Sequence, residues 1–413
     1  MRQLAQHFRA RQGGAAPHLN CHAVLAVKRL RIGVIYGGRS SEHEVSLASA
    51  AAVLANLDPT RYEPIPILID KRGRWSIADR PPTAMSAAEV MQHATRTPSD
   101  AGAAVRTTHL LADPTDETLV TIQPTGVAAG TDGTRALVDR LSLDVVFPVV
   151  HGPYGEDGTL QGLLELANVA YVGAGVLSSA VGMDKTVAKV LFAAQRLPLV
   201  DYAVVTGPEW DTERARSLGR LTAQLAFPVF VKPANLGSSV GVSKAGNESA
   251  LEQAIDLARC YDRKIIVEAA VPDARELECA ILGNDAPEAS VPGEVIPSRE
   301  FYDYESKYLD KGSELIIPAP ISAAQTDQLR AMAIEAFRAL DAMGLARVDF
   351  LMAGDSDRLY LNELNTIPGF TTISMYAKLW DASGLSYPEL LDRLIQLARE
   401  RHSDKQQLRT RRS

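Results

Sequence analysis

Cysteine is scarce in this chain. Cys21, Cys260 and Cys279 are the only three among 413 residues, and no two stand in C-x-x-C spacing. Such thiols supply neither a disulfide framework nor a zinc site, and they point to a reducing, cytoplasmic compartment. Long apolar runs are missing as well, so no segment reads as a transmembrane helix. A basic excess is also lacking. The net charge is −7, whereas a nucleic-acid surface draws its affinity from Lys and Arg set against phosphates. Only the tail is basic, through Lys405, Arg409, Arg411 and Arg412, and it reads as a solvated end. The pattern G-x-x-x-x-G-K-[ST] does not occur, which excludes a P-loop. These absences leave a globular chain that acts on small molecules, with no nucleic-acid or membrane partner.

What is present is ordinary globular composition, long enough for two or three domains. Residues 1–29 carry scattered arginines and only a short apolar stretch, and read as a disordered extension or an upstream start rather than a targeting peptide. Leu30 to Tyr36 is a short apolar strand ending in Gly37-Gly38, followed by an Ala-rich helix from Val45 and a second strand ending near Asp70. Residues 81–133 are rich in Ala, Thr, Pro and Gly with weak periodicity, and an irregular, partly mobile insertion is expected there. Leu143 to Val150 is a continuous apolar run of the kind buried in a parallel sheet. The fold class is α/β, with an open parallel sheet in a first domain over 30–173 and two α+β domains over 174–272 and 273–413.

The densest chemistry lies between Arg347 and Gly369. Two alternating runs flank a short polar turn and predict a β-hairpin. Asp349 sits in one strand, and Glu363 and Asn365 lie two apart in the other, so their side chains share a face. Two carboxylates and an amide form a hard-oxygen set suited to Mg²⁺ between protein and substrate phosphates. Arg347 places a cation beside them. Upstream, Lys232 follows a strand, and Asn235 to Gly241 forms a Gly/Ser turn whose backbone amides suit phosphate oxygens. Glu268 ends an apolar strand, where a carboxylate accepts from an amino group or a ribose hydroxyl. Two further stretches follow predicted strands, at the end where open α/β sheets bind ligands. In Gly37 to Ser46, Ser41 is expected to cap the helix and Glu42 to face a cationic group. In His151 to Thr159, His151 is placed to orient a small ligand. Glu300 to Tyr308 is a polar, aromatic-rich loop of the kind that closes over a reacting site.

Six stretches in order, GGRSSEHEVS, HGPYGEDGTLQG, VGAGVLSSAVGMDK, VKPANLGSSVGVSK, YDYESKY and RVDF…LNELNTIPGFTTISM, resemble the ATP-grasp enzymes, and among them the D-alanine–D-alanine ligases. The likeness runs from about Leu30 to Leu397. It implies a three-domain ATP-grasp fold in which the two α+β domains sandwich ATP. It also implies an acyl-phosphate route from two D-alanines to a dipeptide for peptidoglycan precursors. Adenine and ribose would lie near Glu268 and Glu276, with backbone donors at Ala269 and Val271. Lys185 and Lys232 would hold phosphates under a loop carrying Ser238 and Ser239. Asp349, Glu363 and Asn365 would ligate two Mg²⁺ ions, with Mn²⁺ as an alternative and K⁺ activation left open. Glu42 would take the ammonium of the first D-alanine, with His151 nearby. Arg347 and the amide of Gly369 would form an oxyanion hole, and Ser374 and Met375 would receive the second carboxylate. Lys307 and Tyr308 would belong to the lid, with Tyr308 linked through Ser238 to Glu42. A homodimer is the assembly common in such a family.

Two other readings follow from the same residues. One is a D-alanine–D-lactate ligase or another ATP-grasp carboxylate–amine ligase, although the YDYESKY form resembles the dipeptide-forming branch. The other is a non-catalytic nucleotide-binding regulator, which would show gaps in the oxygen set or at Arg347. The sequence has none.

Overall fold

The computed structural model describes residues 28–78, 82, 107–114, 119–127, 134–296, 314–354, 356, 358–371 and 374–409. The first unit opens with β1 (Leu30–Gly37), α1 (His43–Asn56), β2 (Tyr62–Ile69) and β3 (Trp75–Ile77). It continues with β4 (Thr107–Leu110), β5 (Leu119–Val127), β6 (Thr134–Leu141), β7 (Val145–Pro148), α2 (Thr159–Leu166) and β8 (Ala170–Tyr171). Its main sheet has the order β3-β2-β1-β7-β8, parallel except for β3. Ile32, Val34, Val145 and Phe147 are buried on one face and Ile35 and Val146 on the other, as strands enclosed on both faces require. The alanines of α1 let that helix pack closely on the sheet.

The weakly periodic region departs from its expected irregularity. Its described part contributes β4 and β5 to a separate three-stranded antiparallel sheet, order β4-β5-β6. Thr107, Thr108 and the Leu119-Val120-Thr121-Ile122 run supply β-branched residues, whose preference for strands is hidden when threonine is read only as polar. The rest of 81–133, like residues 1–27, lies outside the described residues.

The second unit contains α3 (Val176–Met183), α4 (Lys185–Ala194), β9 (Tyr202–Thr206), α5 (Gly207–Gln224), β10 (Val229–Pro233), β11 (Ser243–Ala245), α6 (Glu248–Ala258) and β12 (Lys264–Ala269). Its antiparallel sheet runs β11-β10-β12-β9. The third unit contains β13 (Arg275–Gly283), β14 (Glu288–Ala289), β15 (Gly293–Ile296), β16 (Glu314–Ile316), α7 (Ala323–Ala339), β17 (Gly344–Met352), β18 (Leu359–Asn365), α8 (Met375–Ala382) and α9 (Tyr387–Gln406). Its sheet order is β16-β15-β13-β17-β18, with β14 beside β13. The predicted hairpin is β17–β18, with Arg347 opposite Asn365 and Asp349 opposite Glu363. Sequence-local caps set several helix starts: Thr206 with Glu209, Ser322 with Gln325 and Ser386 with Glu389 form capping boxes.

The hydrophobic cores do not follow chain order. Ile32, Val34 and Phe147 of the first sheet share one core with Leu345 of β17, Tyr376 of α8 and Leu390 and Leu394 of α9. Phe370 is the hub between them. Its ring lies 5.6 Å from Phe147, edge-on, 5.5 Å from Tyr376 and 6.4 Å from Tyr387. Truncating a fully buried Phe removes transfer energy and leaves a cavity. Phe370→Ala should therefore destabilise the fold by about 3–5 kcal/mol in urea unfolding. A loss below about 1 kcal/mol would show that the first sheet and α8–α9 are not joined through this ring.

Candidate active site

The third sheet supplies one face of charge. Glu278 on β13, Asp349 on β17 and Glu363 on β18 are successive register partners, so three carboxylates form a row across the strands. Like charges side by side repel, and each is answered by a cation. Arg347 grips Asp349 in a fork, Nε to Oδ1 at 2.7 Å and Nη2 to Oδ2 at 2.7 Å. Its Nε also lies 3.0 Å from Oε2 of Glu278. Burial works against the guanidinium charge, but Asp349 and Glu278 outweigh it and hold Arg347 protonated well above its ordinary range. Asn365 donates to Asp349 at 2.9 Å. Lys185 lies 3.2 Å from Glu363 and donates to the carbonyl of Leu236 in the Gly/Ser loop at 2.9 Å. The register shifts between Asp349 and Phe350, so that Asn362 is the extra residue of a β-bulge that re-aims the strand beside Glu363.

The second sheet faces this row with a buried carboxylate. Glu268 is 3% exposed and is flanked by Lys189 at 2.8 Å and Lys232 at 2.6 Å. Burial pushes its pKa up, but the two ammonium groups prevail and lower it to about 2. Burial likewise opposes the charge of Lys232, and Glu268, with Glu363 beyond it, keeps that ammonium protonated above its usual range. Ser238 and Ser239 both have left-handed backbones, at φ 50° and 57°, uncommon for non-glycine residues and a mark of functional loops. Asn235 fixes the loop base, its backbone and side-chain N–H groups both donating to Asp262 at 2.7 and 2.8 Å. The amide of Ala269 donates to the carbonyl of Asp201 at 2.9 Å. Glu276 stands two residues from Glu278 on the same face of β13, with a coulombic influence on Lys232.

The first unit brings Glu42 to the Gly/Ser loop, where the hydroxyl of Ser238 donates to its carboxylate. Gly152 has φ +75°, and a Cβ there would stand 2.5 Å from the Glu42 carboxylate, so only glycine fits. The helix start differs from expectation. Glu42, not Ser41, occupies the N-cap position of α1, and it makes no capping hydrogen bond because its carboxylate is turned toward Ser238. His151 is buried. Its Nδ1–H donates to the carbonyl of Ile367 at 3.1 Å, and its Nε2 lies 2.9 Å from Ser49 Oγ. Burial disfavours its charge, yet Glu156 and Glu42 leave its pKa raised. Ser49 Oγ also accepts from the amide of Phe370 at 3.2 Å, which fixes the turn around Gly369. Ser374 accepts from the Thr371 amide at 3.0 Å and stands at the N-cap of α8, with Met375 as its first residue. The amide of Gly369 has no protein acceptor among the described residues.

The sites read from sequence therefore meet where the three units converge, apart from Lys307 and Tyr308, which lie outside the described residues. Two participants were not foreseen. Lys189 follows Lys185 by four residues and so shares its helix face, a signal that was available. Glu278 alternates with Glu276, but its place beside Asp349 depends on a strand pairing that local spacing does not reveal. Among the described residues, no group of three or more His, Cys, Asp or Glu is gathered in metal-binding geometry. The donor chemistry nonetheless fits a hard cation: Asp349 and Glu363 face each other across the hairpin with Asn365 alongside, all oxygen-bearing.

Two family models match the chain: "D-ala D-ala ligase N-terminus" over residues 31–174 and "D-ala D-ala ligase C-terminus" over residues 191–396. A D-alanine–D-alanine ligase from Heliobacterium modesticaldum is 48% identical over 92% of this chain and 98% of its own length. One from Solibacter usitatus is 47% identical over 92% and 98%. Among solved structures, the D-alanine-D-alanine ligase of Coxiella burnetii aligns with TM-score 0.72 and 37% identity, covering 92% of this chain and 97% of that one. VanG D-Ala:D-Ser ligase of Enterococcus faecalis aligns at 0.74 and 32%, covering 90% and 100%. The chain belongs to the D-alanine–D-alanine ligase family, with its ATP-grasp fold. No helix among the described residues is long and apolar enough to cross a membrane.

The ion cluster makes stability depend on pH with a definite sign. Glu268 has a folded pKa of about 2 against an ordinary 4.5, so its contribution is complete above 4.5 and is lost as pH falls toward 2. Unfolding free energy, measured by urea titration, should fall through that window. Glu268→Gln should flatten the slope there, and an unchanged slope would mean that Glu268 is not held ionised.

Proposed function

We propose that this protein joins two molecules of D-alanine into D-alanyl-D-alanine at the expense of ATP, for peptidoglycan precursors. The reading is supported by the convergence of the Glu42 carboxylate, the Gly/Ser loop with Lys185 and Lys232, and the carboxylate row around Arg347. A carboxylate is a poor acyl donor because oxide is a poor leaving group. When one carboxylate oxygen of the first D-alanine attacks the γ-phosphorus, ADP leaves and an acyl phosphate results. Such a transfer needs in-line positioning and charge neutralisation more than covalent help.

Each residue has a role in that sequence. Glu42 binds the ammonium of the first D-alanine, and Ser238 holds its carboxylate in place. Lys185 and Lys232 meet phosphate oxygens, the Ser239 turn covers them, and the strand end at Glu268, Val271 and Glu276 receives the nucleoside. Asp349, Glu363 and Asn365 would hold divalent ions, Mg²⁺ or Mn²⁺, which when bound neutralise phosphate charge. The amine of the second D-alanine, after losing a proton, attacks the acyl carbon. The oxyanion that forms lies between Arg347 and the amide of Gly369, and it collapses with loss of phosphate. Ser374 and the start of α8 receive the second carboxylate, where a helix N-terminus favours negative charge. His151 orients the Gly369 turn and the first substrate. Lys307 and Tyr308 would close over the acyl phosphate, which water would otherwise hydrolyse. The protein would act in the cytoplasm, as a homodimer. A D-alanine–D-serine or D-alanine–D-lactate product is the second reading, favoured by the likeness to a D-Ala:D-Ser ligase.

Incubation with D-alanine, ATP and a Mg²⁺ salt should yield the dipeptide, ADP and phosphate in equal amounts. Replacing the second substrate by D-serine or D-lactate should lower the rate, and a higher rate with either would shift the assignment to the second reading. Asp349→Asn should abolish turnover. Arg347→Met should lower kcat by roughly 10²–10³, the usual effect of removing an oxyanion donor. Near-normal kcat in Arg347→Met would remove that residue from the oxyanion site.

A further inference from the structure

Lys189 is the most buried lysine of the site, 1% exposed, and the chemistry so far gives it no task. Burying an ammonium is costly unless it is paired and hydrogen-bonded. Its Nζ has three partners: Oε1 of Glu268 at 2.8 Å, the carbonyl of Asn362 at 3.3 Å, and the face of Tyr202, 5.8 Å from the ring centre. The other oxygen of Glu268 faces Lys232 at 2.6 Å. Two ammonium groups thus divide one carboxylate. Without Lys189, Lys232 and Glu268 would form a one-to-one buried pair, neutral overall and strongly held where water is scarce. With Lys189 present, the trio carries a net positive charge. Lys232 then has less to lose when it turns toward another anion.

We propose that Lys189 is a positioning residue for the nucleotide: it keeps Glu268 occupied so that Lys232 is free to engage a phosphate oxygen. The inference rests on the reading of Lys232 as a phosphate ligand and adds a residue that itself does not touch the nucleotide. The bond to Asn362 gives the same ammonium a second effect. Asn362 is the bulge residue preceding Glu363, so Lys189 ties the carboxylate of the second sheet to the strand that carries the cation ligands. Lys185, one turn earlier on α4, bridges the same gap from the Leu236 carbonyl to Glu363.

The test compares binding of ATP and of adenosine by calorimetry in the full-length protein. Lys189→Met should weaken ATP by about tenfold or more and change adenosine by less than about twofold, because only the phosphates need Lys232. Equal losses for both ligands would mean a packing role only, and unchanged ATP binding would overturn the proposal outright. The second arm uses Glu268→Gln, which removes the carboxylate that Lys189 and Lys232 share. Adding Lys189→Met to that background should alter the ratio of ATP to adenosine affinity by less than about twofold. A loss there as large as in the unaltered background would overturn the proposal. This arm also decides the matter if Lys189→Met alone does not fold. Absence of ATP binding by the unaltered protein would instead sink the reading of Lys232, and the inference with it.

Discussion

Everything at the centre of this molecule depends on local charge compensation in a place largely closed to water. Four carboxylates, Glu268, Glu278, Asp349 and Glu363, meet four cations, Lys185, Lys189, Lys232 and Arg347. The three lysines each pair with a carboxylate on another element, and Arg347 joins Asp349 of its own strand to Glu278 of β13. Removing one member would strand its partner's charge in a low-dielectric surround, a far larger penalty than losing a surface pair. In the function proposed above, the ions that tie the sheets together would also serve the chemistry. A triphosphate would enter by exchange, taking lysines from carboxylates that must find new counter-charges, so a hard cation and an anionic nucleotide would suit this site together better than either alone.

The likeness to a D-Ala:D-Ser ligase as well as to D-alanine–D-alanine ligases fits this arrangement. In the function proposed above, carboxylate activation would call on the Gly/Ser loop and the carboxylate row, and discrimination at the second position would fall to groups near Ser374 and α8. A family can change its second substrate there while leaving the ionic centre intact.

The hairpin was legible in the sequence because its pairing is local: a short turn fixes the register, and alternation assigns Arg347, Asp349, Glu363 and Asn365 to one face. The strand-end positions of Glu42, Lys232 and His151 were legible for the same reason, since each follows a recognisable apolar run. Glu278 was not. Its partner Asp349 lies on β17, more than seventy residues away, and a lone charge on an amphipathic strand looks solvated until the sheet is assembled. Lys189 could be placed on the face of Lys185, but its partner Glu268 on β12 emerges only with the fold. The antiparallel sheet of β4, β5 and β6 was hidden by composition, because threonine, proline and glycine dilute the apolar alternation that marks a strand. The cap of α1 was misplaced by one residue because a serine is an ordinary cap, whereas here the adjacent glutamate stands at the cap with its carboxylate drawn off by Ser238.

Geometry at the acyl carbon depends finally on how the first unit meets the C-terminal helices. Gly369, proposed above as the oxyanion donor, lies in a turn with no regular structure. Three bonds restrain it. His151 donates to Ile367, Ser49 accepts from Phe370, and the Tyr387 hydroxyl donates to the Phe370 carbonyl at 2.7 Å. Two of these come from the first unit, which also supplies Glu42. The ammonium site and the oxyanion site are thus mounted on one framework, locked by the core around Phe370. Their separation is set by close packing, which resists deformation, and not by loop conformation. The phosphate loop, by contrast, belongs to another sheet and touches this framework through Ser238 and Glu42. The proposed acyl-donor site is therefore set by packing of the first unit on the C-terminal helices, whereas the proposed phosphate side stands on a separate sheet.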